Sequence, residues 1–318
     1  QDVDGDGLDD LIVGAPGDDT AGPSFGAAYV YSGLDGSVLH TVFGDASSDD
    51  FGRAVALLGD LDGDRSSEFL VGAPFANPMG NDSGLARVYS GASGSLLFEH
   101  TGTQSSDRLG WAVAATGDVD LDGVPDYLVA EPHIGVDGRA LLYSGADGTL
   151  IRALLGFGGN EGMAAALAGL GDVNGDGHPD QAVTLANVEQ VRVFSGADGS
   201  VLSLFESPAW ADGWGHAVAG AGDIDGDGRA DLIIGAPDTT TAAMAQVGAA
   251  QVLSGADGSV LHEFIGWAGF QRMGHAVAGA GDVDADGRDD LLVGMPGATA
   301  GFEAGVDCGR IQVYSGLD

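Results

Sequence analysis

Apolar residues in this chain come in short runs, and the runs come in a fixed order. A small-residue run such as AVALLG from Ala54 or AVAGAG from Ala217 and Ala276 leads into an aspartate-rich stretch. A more hydrophobic run follows at once, reading LIVGAP, FLVGAP, YLVAEP, QAVTLA, LIIGAP or LLVGMP. Next comes AYVYSG, ARVYSG, AQVLSG or a variant, then a DGS or SGS turn and a fourth run such as VLHTVF or LLFEH. Runs this short, bounded by Gly, Pro and Asp, predict β-strands, and nowhere does the 3.6-residue period of an amphipathic helix appear.

The aspartate-rich stretches set the repeat. They read DVDGDGLDD, DLDGDRSSE, DVDLDGVPD, DVNGDGHPD, DIDGDGRAD and DVDADGRDD, beginning at Asp2, Asp60, Asp118, Asp172, Asp223 and Asp282, at intervals of 51 to 59 residues. Four short antiparallel strands per period, repeated radially, predict an all-β fold, a β-propeller of four-stranded blades, as a single domain over 1–318. Repeats start near residues 2, 51, 109, 161, 214 and 273. The first unit lacks a first strand and the last stops at YSGLD before its fourth, so both end blades are expected to be incomplete. Six repeats fit a six-bladed ring, or part of a seven-bladed one.

The loops themselves carry the chemistry. Calcium takes six to eight oxygens, and alternate side chains of a tight turn can converge on one ion. In the first loop the expected ligands are Asp2, Asp4, Asp6 and Asp10 at positions 1, 3, 5 and 9, with the carbonyl of Leu8 at position 7. The second set is Asp60, Asp62, Asp64, Glu68 and the Ser66 carbonyl; the third is Asp118, Asp120, Asp122, Asp126 and the Val124 carbonyl. The fourth is Asp172, Asn174, Asp176, Asp180 and the His178 carbonyl. The fifth and sixth are Asp223, Asp225, Asp227, Asp231 with Arg229, and Asp282, Asp284, Asp286, Asp290 with Arg288. An EF-hand needs a glutamate at position 12. Here that position is Val13, Val71, Val129, Val183, Ile234 and Val293, so each loop runs into a strand. Up to six Ca2+ ions are expected, with the second loop (Arg65 in place of glycine) and the fourth (one carboxylate fewer) the weakest.

Charge and composition narrow the partners. The net charge is −37, but 23 of the 48 acidic side chains occupy these ligand positions, and six divalent ions would bring the formal charge to about −25. With eleven arginines and no lysine, the surface is unsuited to nucleic acid or an anionic membrane, which need basic residues. No apolar stretch reaches the roughly 18 residues that span a bilayer. Cys308 is the lone cysteine and is expected to be a small buried or idle thiol. No signal peptide is visible, and Gln1 stands one residue before a metal loop, as in a processed or trimmed piece of a longer precursor.

The succession of FG, AVA, GDxDGDGxxDLLVGAP and VYVYSG resembles the FG-GAP repeats of the integrin α-subunit N-terminal propeller and its bacterial relatives, over essentially the whole chain. The resemblance implies calcium in the loops between first and second strands, and its seven-bladed precedent would make this chain a fragment. The fourth unit departs most, with Glu161 in place of the FG aromatic and Thr184 to Ala186 in place of GAP.

Because strand directions alternate, the metal loops and the hairpins between third and fourth strands are expected on one face. The other face carries the divergent connections GDDTAGPSFG, FANPMGNDSG, DTTTAAMAQVG and GATAGFEAGVDCG, where a protein or glycan ligand would bind. Trp210, Trp267 and Phe270 fall in inter-blade links and are candidate ligand contacts, with packing between blades the competing role. Trp214 and Trp111 are expected in the core, and His216 and His275, which share a repeat position, are expected to be packing residues. Low-affinity carboxylate sites fill where calcium is plentiful, which places the chain outside the cell, secreted or at the cell surface. An extracellular calcium-stabilised binding or adhesion module is the leading expectation. The alternative is a self-assembling surface or filament subunit, and the third a propeller domain of a secreted hydrolase or lyase. For catalysis the sequence offers neither a serine elbow nor HExxH, and no catalytic residue is assigned.

Overall fold

The computed structural model describes residues 1–133, 138–156, 161–298 and 308–316. The fold is all-β, and every named element of the described residues is a strand. Six sheets follow one another as the blades of a β-propeller. Blade 1 is β1 (Leu11–Ala15), β2 (Ala27–Tyr31) and β3 (Val38–Phe43). Blade 2 is β4 (Ala54–Gly59), β5 (Glu68–Ala73), β6 (Leu85–Tyr89) and β7 (Leu96–Thr101). Blade 3 is β8 (Val113–Gly117), β9 (Asp126–Glu131), β10 (Arg139–Tyr143) and β11 (Leu150–Leu155). Blade 4 is β12 (Met163–Gly171), β13 (Asp180–Leu185), β14 (Gln190–Phe194) and β15 (Val201–Glu206). Blade 5 is β16 (Ala217–Gly222), β17 (Asp231–Ala236), β18 (Ala249–Leu253) and β19 (Val260–Ile265). Blade 6 is β20 (Ala276–Gly281), β21 (Asp290–Met295) and β22 (Arg310–Tyr314). Blades 1 and 6 are thus three-stranded among the described residues, and the other four have four strands. Contacts divide the chain into two compact units, residues 1–165 and 166–318, with the division inside β12.

Within a blade the strands pair in sequence order, antiparallel, with irregularities at repeating places. Between first and second strands the register slips at Leu57/Gly59, Ala115/Gly117, Gly220/Gly222 and Gly279/Gly281, directly before the aspartate loop. Between third and fourth strands it slips at Val30/Tyr31, Val88/Tyr89, Leu142/Tyr143, Val193/Phe194 and Val252/Leu253, beside the SG turn. A bulge bends one strand and raises its twist. Both sets lie at the end of the blade that carries the metal loop.

Burial follows strand order. All six residues of β5, β9, β13 and β17 are buried, whereas fourth strands such as β7 and β19 alternate toward solvent. Within each unit, the FG and GAP motifs make the joints between blades. A methyl on Gly14 would overlap the carbonyl oxygen of Gly52, and Gly72 and Gly235 stand in the same relation to Gly110 and Gly274. Each GAP glycine therefore exists to let the FG glycine of the following blade approach. The residue before that FG glycine fills the joint: Phe51, Leu109, Trp214 and Met273 each share a core cluster with the second and fourth residues of the preceding blade's third strand.

The fourth blade corrects the sequence reading. Met163, not Glu161, is the fully buried residue nine before the loop, and Ala164 takes φ 65° where its counterpart Gly52 takes 86°. Glu161-Gly162 imitates the FG motif two residues too early. Trp214 is buried as expected, but Trp111 is only half-buried: its ring is covered by the Arg53 guanidinium, 3.9 Å from the ring centroid, and meets Phe75 edge-on. Cys308 is an exposed free thiol, which removes the buried half of the expectation for it.

Candidate metal loops

Each aspartate loop sits between the first and second strands of its blade, or directly before β1 in the first, and is held by its own backbone. The position 1 carboxylate accepts the N–H of position 6 at 2.8–3.0 Å in all six loops. The position 3 side chain accepts the N–H of position 5 at 2.8–3.2 Å. The position 5 carboxylate accepts the N–H of position 7 at 2.8–2.9 Å. An ionised carboxylate has about four lone-pair sites. These bonds fix the side chains and leave acceptor capacity for a cation.

Position 9 does two jobs. One of its oxygens accepts the N–H of position 2 at 2.5–2.9 Å, in all six loops. The other accepts the N–H of the SG glycine that ends the third strand, Gly33, Gly91, Gly145, Gly196, Gly255 or Gly316, at 2.8–3.4 Å. That glycine has no room for a side chain, because the carbonyl of position 8 lies where a methyl would go in every blade. Position 9 thus ties the metal loop to the hairpin between third and fourth strands, and both lie at one end of the blade.

The clamp is also an electrostatic demand. Glu68, Asp126, Asp180 and Asp231 are fully buried, and burial pushes their carboxyls up, to about 7 for Glu68 and about 6 for Asp126 and Asp231. A buried carboxylate facing other carboxylates is stabilised by a cation. Oxygens converge to within 4.8 Å of one another at Asp2, Asp4 and Asp6; at Asp60, Asp62 and Glu68; at Asp118, Asp120 and Asp122; at Asp223, Asp225 and Asp231; and at Asp282, Asp284 and Asp290. The donor set is all oxygen, which suits a hard divalent cation. These clusters could hold a metal ion.

The two loops singled out as weakest differ. In the second, Arg65 accepts the left-handed conformation at φ 77°, and three carboxylates still converge. In the fourth, the Asn174 amide donates to the Asp176 carboxylate at 2.8 Å, which holds that carboxyl below its usual range, and no three-carboxylate cluster forms there.

Contacts between neighbouring loops were not anticipated from sequence. The Arg229 guanidinium donates to the Val173 carbonyl at 3.1 Å, and the Asp289 carboxylate accepts the N–H of Asp223 at 3.0 Å. Arg229 is position 7 of its loop, where only the carbonyl counts toward a metal, and Asp289 is position 8, beside the Asp290 ligand; neither side chain carries a signal in the loop pattern. Of the candidate ligand contacts, Trp210 packs against a core cluster, while Trp267 and Phe270 are exposed. No ring contact joins the three among the described residues. His216 and His275 lie 4.8 Å apart, centroid to centroid, both with proton affinity lowered by burial. Of the divergent connections, residues 299–307 lie outside the described residues.

Comparisons agree with this geometry. Residues 2–31 and 51–89 match the FG-GAP repeat, and residues 172–234 match the FG-GAP-like repeat. Integrin alpha-V of Gallus gallus is 30% identical over 250 residues, covering 76% of this chain and 20% of the relative. Integrin alpha-IIb of Homo sapiens is 34% identical over 176 residues, 49% of this chain and 17% of the relative. Integrin alpha-4 of Xenopus laevis is 32% identical over 187 residues, 55% and 18%. The chain therefore spans about a fifth of the length of these relatives. With FG and GAP glycines joining its blades and an aspartate loop at one end of each, the chain is an FG-GAP-repeat, integrin alpha-like β-propeller.

Proposed function

We propose that the chain is an extracellular, calcium-stabilised adhesion-type binding module, with Ca2+ held in up to six loops by positions 1, 3, 5, 7 and 9. The observation that carries this is the buried position 9 carboxylate, which couples each cation site to the hairpin of its own blade. Extracellular modules bind calcium at roughly 0.1–1 mM, so at about 1–2 mM free calcium a site of about 0.1 mM adds about 1.4–1.8 kcal/mol. Several such sites rival the roughly 5–15 kcal/mol stability of a domain. The role is structural.

Recognition of a protein or glycan then belongs to the connections at the other end of each blade, where sequence varies and exposed Trp267 and Phe270 lie in a link. The similarity to integrin alpha chains supports an adhesion-type role over catalysis. Equilibrium dialysis against calcium tests the first half of the reading: five or six ions per chain are expected, with the fourth loop weakest, and none would refute it. Probing glycan arrays and extracellular-matrix proteins with the chain tests the second. Binding lost on substitution of Trp267 and Phe270 is expected; binding that instead follows the metal-loop end would move the ligand face.

A further inference from the structure

Four of the seven histidines are engaged with a partner of another kind. His40 pairs with the Gly91 carbonyl and stacks on Phe69, and His100 pairs with the Tyr127 hydroxyl and stacks on Tyr143. His133 pairs with Asp107, and His262 pairs with the Gly316 carbonyl and stacks on Phe264. His216 and His275 differ. Among the described residues neither imidazole has a hydrogen-bond partner or a Phe, Tyr or Trp platform; the two rings meet each other, with 4.8 Å between centroids and 55° between planes.

Backbone geometry sets that distance. Each histidine follows the glycine of a blade joint and stands one residue before the first strand of its blade, β16 or β20. Its N–H donates to the carbonyl three residues back, Gly213 at 3.1 Å for His216 and Arg272 at 3.2 Å for His275. Both turns are anchored on one residue: the Gly215 N–H donates to the Gly235 carbonyl at 3.1 Å, and the Gly274 carbonyl lies where a methyl on Gly235 would go. In blades 2 and 3 the same two positions bring the Arg53 guanidinium to 3.9 Å from the Trp111 centroid. Neighbouring blades thus hold this pair of side chains in contact, and residue identity decides what the contact can do.

In blades 5 and 6 the pair has the dimensions of a chelate. Two imidazoles bound to one ion by one nitrogen each, at about 2.0–2.1 Å, place their ring centres about 3.2 Å from it and, at angles between square and tetrahedral, about 4.5–5.2 Å from each other. The observed 4.8 Å falls inside that range. Burial lowers the proton affinity of both rings, so each keeps a nitrogen lone pair free near neutral pH. The charged groups that face them, Arg272 and Asp238, are paired with each other at 3.2 Å, which leaves the surroundings of the two rings neutral.

We propose that His216 and His275 together bind one divalent transition-metal ion of the zinc class, a role beyond the packing expected of them from sequence. Imidazole suits zinc, copper and nickel, whereas calcium takes oxygen. The site is also separate in space from the aspartate loops, because each histidine precedes the first strand of its blade and each loop follows that strand. Two protein donors leave the remaining coordination positions to water.

The test is a titration of Zn2+ into the whole chain, with the aspartate loops kept loaded in about 2 mM calcium. In heteronuclear NMR the imidazole signals of His216 and His275 should move together, complete at one equivalent, while those of the other five histidines stay in place. Losing one of two donors removes the chelate, so calorimetry on His216→Ala and on His275→Ala should each give a zinc affinity at least about tenfold below that of the parent. An unchanged calcium-dependent melting temperature shows that both variants fold, and the ring signals of the parent decide the matter without any variant. Rings that do not shift, a shift confined to one of them, or variants that bind zinc as the parent does would each overturn the site. Zinc displaced by raising calcium would place the ion in an aspartate loop and overturn it as well.

Discussion

Asp126 and Gly145 are locked together: the fully buried carboxylate accepts the glycine N–H at 3.0 Å, and the carbonyl of Pro125 occupies the space a Gly145 side chain would need. The same pair recurs in all six blades, so a metal-loop residue also fixes a hairpin 16 to 26 residues away in sequence. Calcium bound in the loop would therefore be felt at the far strands of the blade.

The Asp126 carboxylate accepts three backbone N–H groups, from Val119, Asp120 and Gly145, and Asp126→Asn turns an amide donor against part of that set. Leaving a buried donor unsatisfied costs about 1–3 kcal/mol. Stability in chelator should fall by about that amount, and calcium dialysis should return one ion fewer per chain. A stability loss with the ion count intact would separate the clamp from the metal site.

Gly145→Ala tests the steric half of the pair. Overpacking of this kind costs about 1–3 kcal/mol, and denaturant midpoints should drop accordingly with calcium present. Ala146→Gly, one residue on and outside the close approach, serves as the comparison and should cost less.

Gly235→Ala attacks a filled blade joint, since the added methyl would strike the Gly274 carbonyl. Its melting temperature should fall by several degrees. An unchanged melt would mean that the GAP glycine is not what permits the blades to approach.

His100 gives a pH signature. Its Nε2 pairs with the Tyr127 hydroxyl at 2.8 Å and its ring stacks on Tyr143 at 3.8 Å, between blades 2 and 3. Burial lowers its pKa from 6.5 to about 4. The folded state thus resists a proton that the unfolded chain accepts, so this contribution is whole above pH 6.5 and is lost as pH falls toward 4. The slope is at most about 1.4 kcal/mol per pH unit. Chemical denaturation at pH 7, 6 and 5, compared with His100→Phe, isolates it: the difference between the two chains should grow in favour of the variant as pH falls, and a constant difference would contradict the assignment.

Much of this was legible in the sequence. The period, the strand runs and positions 1, 3, 5 and 9 were local patterns, and local patterns survive folding. What was hidden depended on distant partners. Asp126 reads as a ligand because its neighbours do, whereas its bond to Gly145 crosses 19 residues. Glu161-Gly162 passes for an FG motif because composition cannot display a dihedral angle; only burial of Met163 and the positive φ of Ala164 place the joint. Trp111 looks like core because it is tryptophan, yet it serves as the platform for Arg53.

The central claim, that calcium in the loops holds the blades, rests on one direct measurement. Thermal unfolding of the whole chain should be followed in excess EDTA and in about 2 mM calcium, the extracellular level at which low-affinity sites fill. A rise of many degrees with calcium is expected, graded with its concentration; a melt that does not move would contradict the account.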